Sequence, residues 1–181
     1  IQEYSDGMRK NDVKVGFYFS HLDWHHDDYA TVTHDGKPGE IPKNPLAFRG
    51  GAEDPKAWDR FVKFRDDQVE ELMANYNPDL MWFDGEWERS KEQWKMKELR
   101  AIMDRYNPEC VYNARLSGYG DYETPEQGVP IQRPEGVWEL CITVNDSWGY
   151  QVNDDRHKSV RQLVQIFTDT ISLGGNLLLD I

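Results

Sequence analysis

The feature that most constrains the fold is a tetrapeptide that occurs twice. Tyr76-Asn77-Pro78-Asp79 and Tyr106-Asn107-Pro108-Glu109 match residue type for residue type, thirty positions apart. Each follows a stretch in which apolar residues recur at three- and four-residue steps. In the first these are Trp58, Phe61, Val62, Val69, Leu72, Met73 and Tyr76; in the second, Trp94, Leu99, Ile102, Met103 and Tyr106. Each precedes a short apolar run, Leu80 to Phe83 and Cys110 to Asn113. Asparagine tolerates a left-handed helix cap and proline cannot continue a helix, so both tetrapeptides read as stops. A helix, a stop and a buried strand, repeated at this interval, describe consecutive βα units with parallel strands.

The remaining segments fit the same plan. Val13 to Ser20 is rich in aromatic and β-branched residues and reads as a strand, as do Trp138 to Val144 and the run from Asn176 to Ile181. A last helix starts near Ser159, which has capping-box spacing with Gln162, and stops at Gly174-Gly175. Its expected buried face is Val160, Leu163, Val164, Phe167 and Ile171. Two long loops, His21 to about Pro55 and Leu116 to Val137, carry many polar and aromatic residues; loops of this length inside a domain are usually functional or disordered. Five strands alternate with three helices, so the class is α/β, either a (β/α)8 barrel or a doubly wound sheet. No Gly-x-Gly-x-x-Gly follows a strand, which disfavours dinucleotide binding. Five strands cannot close an eight-stranded barrel. The chain also begins at Ile1 and stops within an apolar strand, so residues 1–181 are expected to be part of a single barrel domain cut at both ends.

Composition narrows the partners. Thirty-three acidic against 21 basic residues give a formal net charge of -12, and phosphate recognition needs clustered cations, so a nucleic-acid partner is excluded. No 18-residue apolar run is present to span a membrane. Cys110 and Cys141 lie in apolar runs and are expected to be buried free thiols. Seven Trp and nine Tyr exceed what a core of this size needs, so several rings are expected at a site.

The chemistry gathers at strand C-termini, which present Tyr18 and Ser20, Asp84, Asn113 and Arg115, and Thr143 and Asn145. Asp84 ends a buried apolar run and is followed by Gly85, with Trp82 and Trp87 on either side. A carboxylate there is costly to desolvate and needs a structural partner or a chemical role. Two carboxylates flanking a bond between aromatic walls are the equipment of glycoside hydrolysis. Asp84 is the first candidate; Glu126 and Glu139 are candidates for the second, with Glu123 behind them. Trp24, His25, His26 and Trp148 are candidate sugar contacts, and Arg115 either holds a hydroxyl or orients Asp84. A rival reading takes His21 to Asp28 as a divalent-metal site. It lacks a His-x-x-x-His pair on a helix, so no metal is expected.

Seven motifs in order now carry a resemblance. They are Gly16-Phe17-Tyr18-Phe19-Ser20 with Asp23-Trp24-His25-His26, Trp82-Phe83-Asp84-Gly85-Glu86-Trp87, Asn113-Ala114-Arg115, Thr124-Pro125-Glu126, Trp138-Glu139-Leu140-Cys141, Ser147-Trp148-Gly149-Tyr150 and Gly174-Gly175-Asn176-Leu177-Leu178. Together they resemble the α-L-fucosidases of glycoside hydrolase family 29. The resemblance implies the C-terminal portion of an irregular (β/α)8 barrel, a retaining exo-hydrolase acting on fucosylated oligosaccharides or glycoconjugates, no cofactor, and a secreted, periplasmic or lysosomal location. It makes Asp84 the nucleophile and Tyr18, Trp82 and Arg115 fucose contacts. Family members place the acid/base at the position of Glu126 or of Glu139. Glu139 is preferred here because a rigid strand end holds a carboxyl at the required ~5.5 Å from the nucleophile better than a loop does. The family's fucose-binding histidines lie upstream of this chain, so His25 and His26 are not their counterparts. Ala114 stands where many members have Asp, which predicts a less constrained Arg115. The alternative readings are a non-catalytic sugar-binding barrel and a metal-dependent hydrolase.

Overall fold

The computed structural model describes residues 1–29 and 54–181; most of the expected polar loop from His21 to Pro55 lies outside the described residues. The chain divides into two compact units, Ile1–Gly120 and Asp121–Ile181.

The first unit runs α1 (Gln2–Lys10), β1 (Gly16–Ser20), α2 (Pro55–Tyr76), β2 (Leu80–Asp84), α3 (Met96–Tyr106) and β3 (Val111–Tyr112), with 3-10 turns at Glu86–Glu88 and Ala114–Leu116. The strands form one parallel sheet in the order β1-β2-β3. Its register sets Gly16 opposite Leu80, Ser20 opposite Asp84 and Met81 opposite Tyr112. Central β2 buries Met81, Trp82 and Phe83 in succession, so both its faces are covered, as its unbroken apolar run requires. Phe61, Val62, Val69 and Met73 of α2 and Leu99 and Met103 of α3 fill the core beside Met81 and Phe83. Each such side chain contributes ~1.5–3 kcal/mol by leaving water.

The two matching tetrapeptides stop their helices differently. Asn77 takes the left-handed cap (φ 44°, ψ 60°) and donates its backbone N–H to Met73 O. Asn107 is extended (φ -144°, ψ 95°). Its backbone N–H likewise donates to Met103 O, and its side chain in addition donates to Pro78 O at 2.9 Å and accepts from Glu109 N at 3.1 Å, so the second stop is tied onto the first. Asp79 joins the same corner to the neighbouring strand, accepting from Val15 N at 2.9 Å and from Lys14 Nζ at 3.0 Å. Helix α1 was not expected from periodicity: Ser5 is its one buried residue. Its Arg9 donates to Tyr76 O and Asn77 O at 2.6 and 2.8 Å, covering carbonyls at the C-terminus of α2.

The second unit contains β4 (Glu139–Thr143), α4 (Val160–Ser172) and β5 (Asn176–Asp180), with β4 and β5 parallel. Two isolated parallel bridges, Glu123 to Trp138 and Glu126 to Cys141, lay the preceding loop along β4. The capping box forms: Ser159 Oγ accepts from Gln162 N at 3.3 Å and Gln162 Oε1 from Ser159 N at 2.8 Å. Gly175 permits close packing, since a Cβ there would lie 2.4 Å from the Trp138 ring. Cys110 and Cys141 are buried, and neither is in a disulfide among the described residues.

The expected buried face of α4 is corrected. Val160, Val164, Phe167 and Ile171 are all more than half exposed in this chain, whereas Ile166 and Leu173 pack against Trp138, Leu140 and Ile142, and Thr170 is the buried residue. A helix apolar on two adjoining stripes shows the same period whichever stripe meets the sheet. A two-stranded sheet covers only one of them.

Candidate active site

The C-terminal ends of β1 and β2 bring four of the sequence-predicted residues together. Asp84 closes β2 and is three-quarters buried. Its Oδ1 accepts from Arg115 Nη1 at 2.7 Å and its Oδ2 from the Tyr18 hydroxyl at 2.8 Å. Both donors suit a carboxylate, and the charged one is the stronger. The Arg115 guanidinium lies over the Trp82 ring, 5.0 Å from its centroid, and Tyr18 stacks on the same ring at 5.8 Å and 20°. Trp82 is buried, so within this chain it serves to hold Arg115 and Tyr18. Tyr18, 62% exposed, is the ring turned to solvent.

Three further residues build the frame of this centre. Fully buried Asn113 replaces a strand partner: its Oδ1 accepts from Phe83 N and its Nδ2 donates to Phe83 O, both at 2.9 Å. That fixes the backbone one residue before Asp84 and starts the 3-10 turn carrying Arg115. Ala114, expected to loosen Arg115, sits in that turn, and the Asp84 and Trp82 contacts constrain the guanidinium instead. His21 donates its backbone N–H to Asp84 O at 2.7 Å, stacks on Phe83 at 4.9 Å and 5°, and sets Nε2 3.3 Å from Arg115 O. Burial, reinforced by the Arg65 charge, holds the His21 imidazole well below its ordinary pKa, so it is neutral. Its Nδ1 has no hydrogen-bond partner among the described residues.

Gly85 (φ 88°) takes the backbone off β2 in the left-handed region, and a Cβ there would lie 2.4 Å from Leu22 Cγ. The turn that follows inserts Glu88, which is buried; Trp24 Nε1 donates to its Oε1 at 2.9 Å and the Tyr29 hydroxyl to its Oε2. Burial raises the Glu88 pKa, and the two hydrogen bonds offset part of that rise. Tyr29 in turn packs against Trp58, Phe61 and Trp94. The segment 21–29 is thereby pinned beside the strand end that carries Asp84.

The other predicted residues lie elsewhere. His25 is exposed, with its backbone N–H donated to Asp23 Oδ1 at 3.1 Å. The His26 ring packs on Phe64 and Phe61 of α2 at 4.5 and 5.3 Å, and its Nδ1 accepts from Asp28 N. Among the described residues no three His, Cys, Asp or Glu side chains are grouped to hold a metal. In the second unit Glu139 is the first residue of β4 and half-buried, Glu126 is exposed opposite Cys141, the third residue of β4, and Trp148 is about half exposed. His21, Glu88 and the amide role of Asn113 were missed as parts of the site, because in sequence they look like a loop histidine, a solvated acid and a strand-end polar group.

A carboxylate at the C-terminal end of a parallel strand stands where βα-type enzymes place catalytic groups, and carboxylates carry glycoside hydrolysis. The comparison with known proteins is specific: the α-L-fucosidase family profile matches residues 1–181, and the chain belongs to that family. It is 30% identical over 201 residues to the tissue α-L-fucosidase of Rattus norvegicus, covering 100% of this chain and 38% of that protein. Among solved structures, α-L-fucosidase isoenzyme 1 of Paenibacillus thiaminolyticus superposes with a TM-score of 0.83 at 32% identity, covering 98% of this chain and 45% of that one. An α-L-fucosidase of Lactobacillus casei in complex with its α-L-fucose product gives 0.81 at 25% identity, covering 98% and 56%. The chain thus spans well under two-thirds of the length of these relatives. No helix among the described residues is long and apolar enough to cross a membrane.

Proposed function

We propose that the complete gene product carrying these residues is a retaining, exo-acting α-L-fucosidase that releases terminal fucose from glycans, and that residues 1–181 contribute five strands to a single (β/α)8-type catalytic barrel. The observation that carries this reading is the Tyr18–Asp84–Arg115 constellation at the end of β2. The names of the relatives, and the fucose product bound in the Lactobacillus structure, support fucose as the sugar.

In this reading Asp84 is the nucleophile. Its Oδ2 faces the exposed Tyr18 ring and is the oxygen that attacks the anomeric carbon, while Oδ1 stays with Arg115. A second carboxyl protonates the departing glycosidic oxygen; the same group, now a base, activates water to release fucose with retention. Sites on parallel βα units form at strand C-termini. Glu139 opens β4, whereas Glu126 pairs two residues further along it. That register supports Glu126 as the acid/base and Glu139 as a structural or substrate-contact residue, reversing the preference drawn from strand rigidity.

The test is chemical rescue in the complete gene product. Glu126→Ala should lose ~10²–10⁴-fold in kcat on p-nitrophenyl α-L-fucoside, the usual contribution of general acid–base catalysis, and regain activity with azide. Rescue of Glu139→Ala alone would transfer the role to Glu139. A wild-type protein that binds fucose without releasing it from any fucoside would overturn the hydrolase reading.

A further inference from the structure

A groove of about 370 Å³ lies on the segments that follow Asp84 and Arg115 in the chain, lined by Glu86, Trp87, Ser90, Lys91, Glu92 and Ser117, among others. Its first lining residue comes two after Asp84 and its last two after Arg115, and the Asp84–Arg115 ion pair joins the two segments just before they reach it. Its volume lies in the ~300–1,000 Å³ range of small-molecule sites.

The groove has an exposed aromatic wall. Trp87 is 52% exposed, whereas Trp58, Trp82 and Trp94 are buried. In a 3-10 turn successive side chains point about 120° apart. Glu88 goes inward to Trp24 and Tyr29, Glu86 O accepts from Trp94 Nε1 at 2.9 Å, and Trp87 is left facing outward. Because its neighbours are anchored, the backbone that carries the indole is set before any ligand arrives, which spares part of the ordering cost of binding. The remaining wall mixes hydroxyls with charges of both signs. That equips it to bond sugar hydroxyls and gives no preference for a phosphate or a carboxylate.

We infer that the Trp87 groove is a subsite for a sugar unit of the glycan from which fucose is released. The inference rests on the fucosidase reading and extends it. An exo-acting enzyme takes its substrate's terminal sugar at the centre, so the substrate extends from there only on the leaving-group side. Any second sugar platform beside the centre therefore belongs to that part of the glycan.

The experiment compares Trp87→Ala and Trp87→Phe with wild type in the complete gene product, using two substrates. One is α-L-fucosyl fluoride, whose leaving group is too small to reach the groove; the other is whichever fucosyl disaccharide or trisaccharide the wild type cleaves best. Trp87→Ala should lower kcat/KM on the oligosaccharide by about tenfold or more, the loss of one aromatic–sugar contact, and leave fucosyl fluoride within about twofold. Trp87→Phe should keep most of the activity on both. An equal fall on the two substrates would make Trp87 a support of the centre and sink the subsite, and so would no change on either. A wild type inert towards both substrates overturns the fucosidase reading itself and the subsite with it.

Discussion

Asp84 ends a parallel strand and Glu126 bridges the middle of one, and the two units hold these carboxylates in different ways. Asp84 sits on the central strand of a three-stranded sheet whose faces are covered. Asn113 grips the backbone of Phe83 just before it, His21 bonds its own carbonyl, and Arg115 and Tyr18 hold its side chain. Glu126 lies on a loop joined to β4 by an isolated bridge, exposed, in a unit whose helix leaves an apolar stripe open. The difference separates two requirements. In the proposed mechanism a nucleophile must be held in a fixed place, and residues 1–120 supply the contacts to Asp84 described above. The acid/base group proposed at Glu126 would have to change partners during the reaction, and its exposed loop suits that requirement.

The largest expected effect breaks this comparison at its centre. Asp84→Asn keeps the shape and a hydrogen-bonding oxygen but removes the negative charge, so kcat of the complete gene product on an aryl fucoside should fall by at least about a thousandfold with fucose still bound. Turnover near wild type, measured as nitrophenol release, would remove Asp84 from the chemistry.

A smaller effect sharpens the contrast in rigidity. His21 is buried neutral, and its folded pKa is depressed below the unfolded value of ~6.5. Between those two values the unfolded chain binds more protons than the folded one. The stability contributed is therefore present above pH ~6.5 and is lost as pH falls towards the folded pKa, at up to ~1.4 kcal/mol per unit. His21→Phe should remove this slope. The stability difference between wild type and variant, from denaturant melts at pH 7 and pH 5, should shift by about 1–2 kcal/mol against the wild type at the lower pH. A difference independent of pH would mean that the ring is not held neutral.

The smallest effect concerns α4. In the 181-residue chain Phe167→Ser changes an exposed position and should alter stability by no more than ~0.5 kcal/mol. In the complete gene product the same change should cost more than 1 kcal/mol if further barrel elements cover the stripe. Equal small effects in both, read from thermal melts, would leave the face solvent-exposed in the whole protein.

What the sequence determined by itself is local. The spacing of apolar residues marked α2, α3 and α4, the Asn-Pro stops ended two of them, and the Ser159–Gln162 box began the third, because helix period and capping depend on neighbours within a turn. The unbroken run at β2 foretold a strand buried on both faces, and its abrupt end in Asp84-Gly85 marked the centre. Tertiary structure decided the rest. The two matching tetrapeptides closed with different cap geometry, Asn77 left-handed and Asn107 extended with its side chain on Pro78 O. Only the folded sheet brought Asn113 to Phe83, His21 to the Arg115 carbonyl and Glu88 to Trp24 and Tyr29. These partners lie 30 to 94 positions apart, and no local preference encodes a contact at that range. The choice between the two apolar stripes of α4 was equally beyond the sequence, since periodicity gives a helix its apolar faces and the surface it meets selects among them.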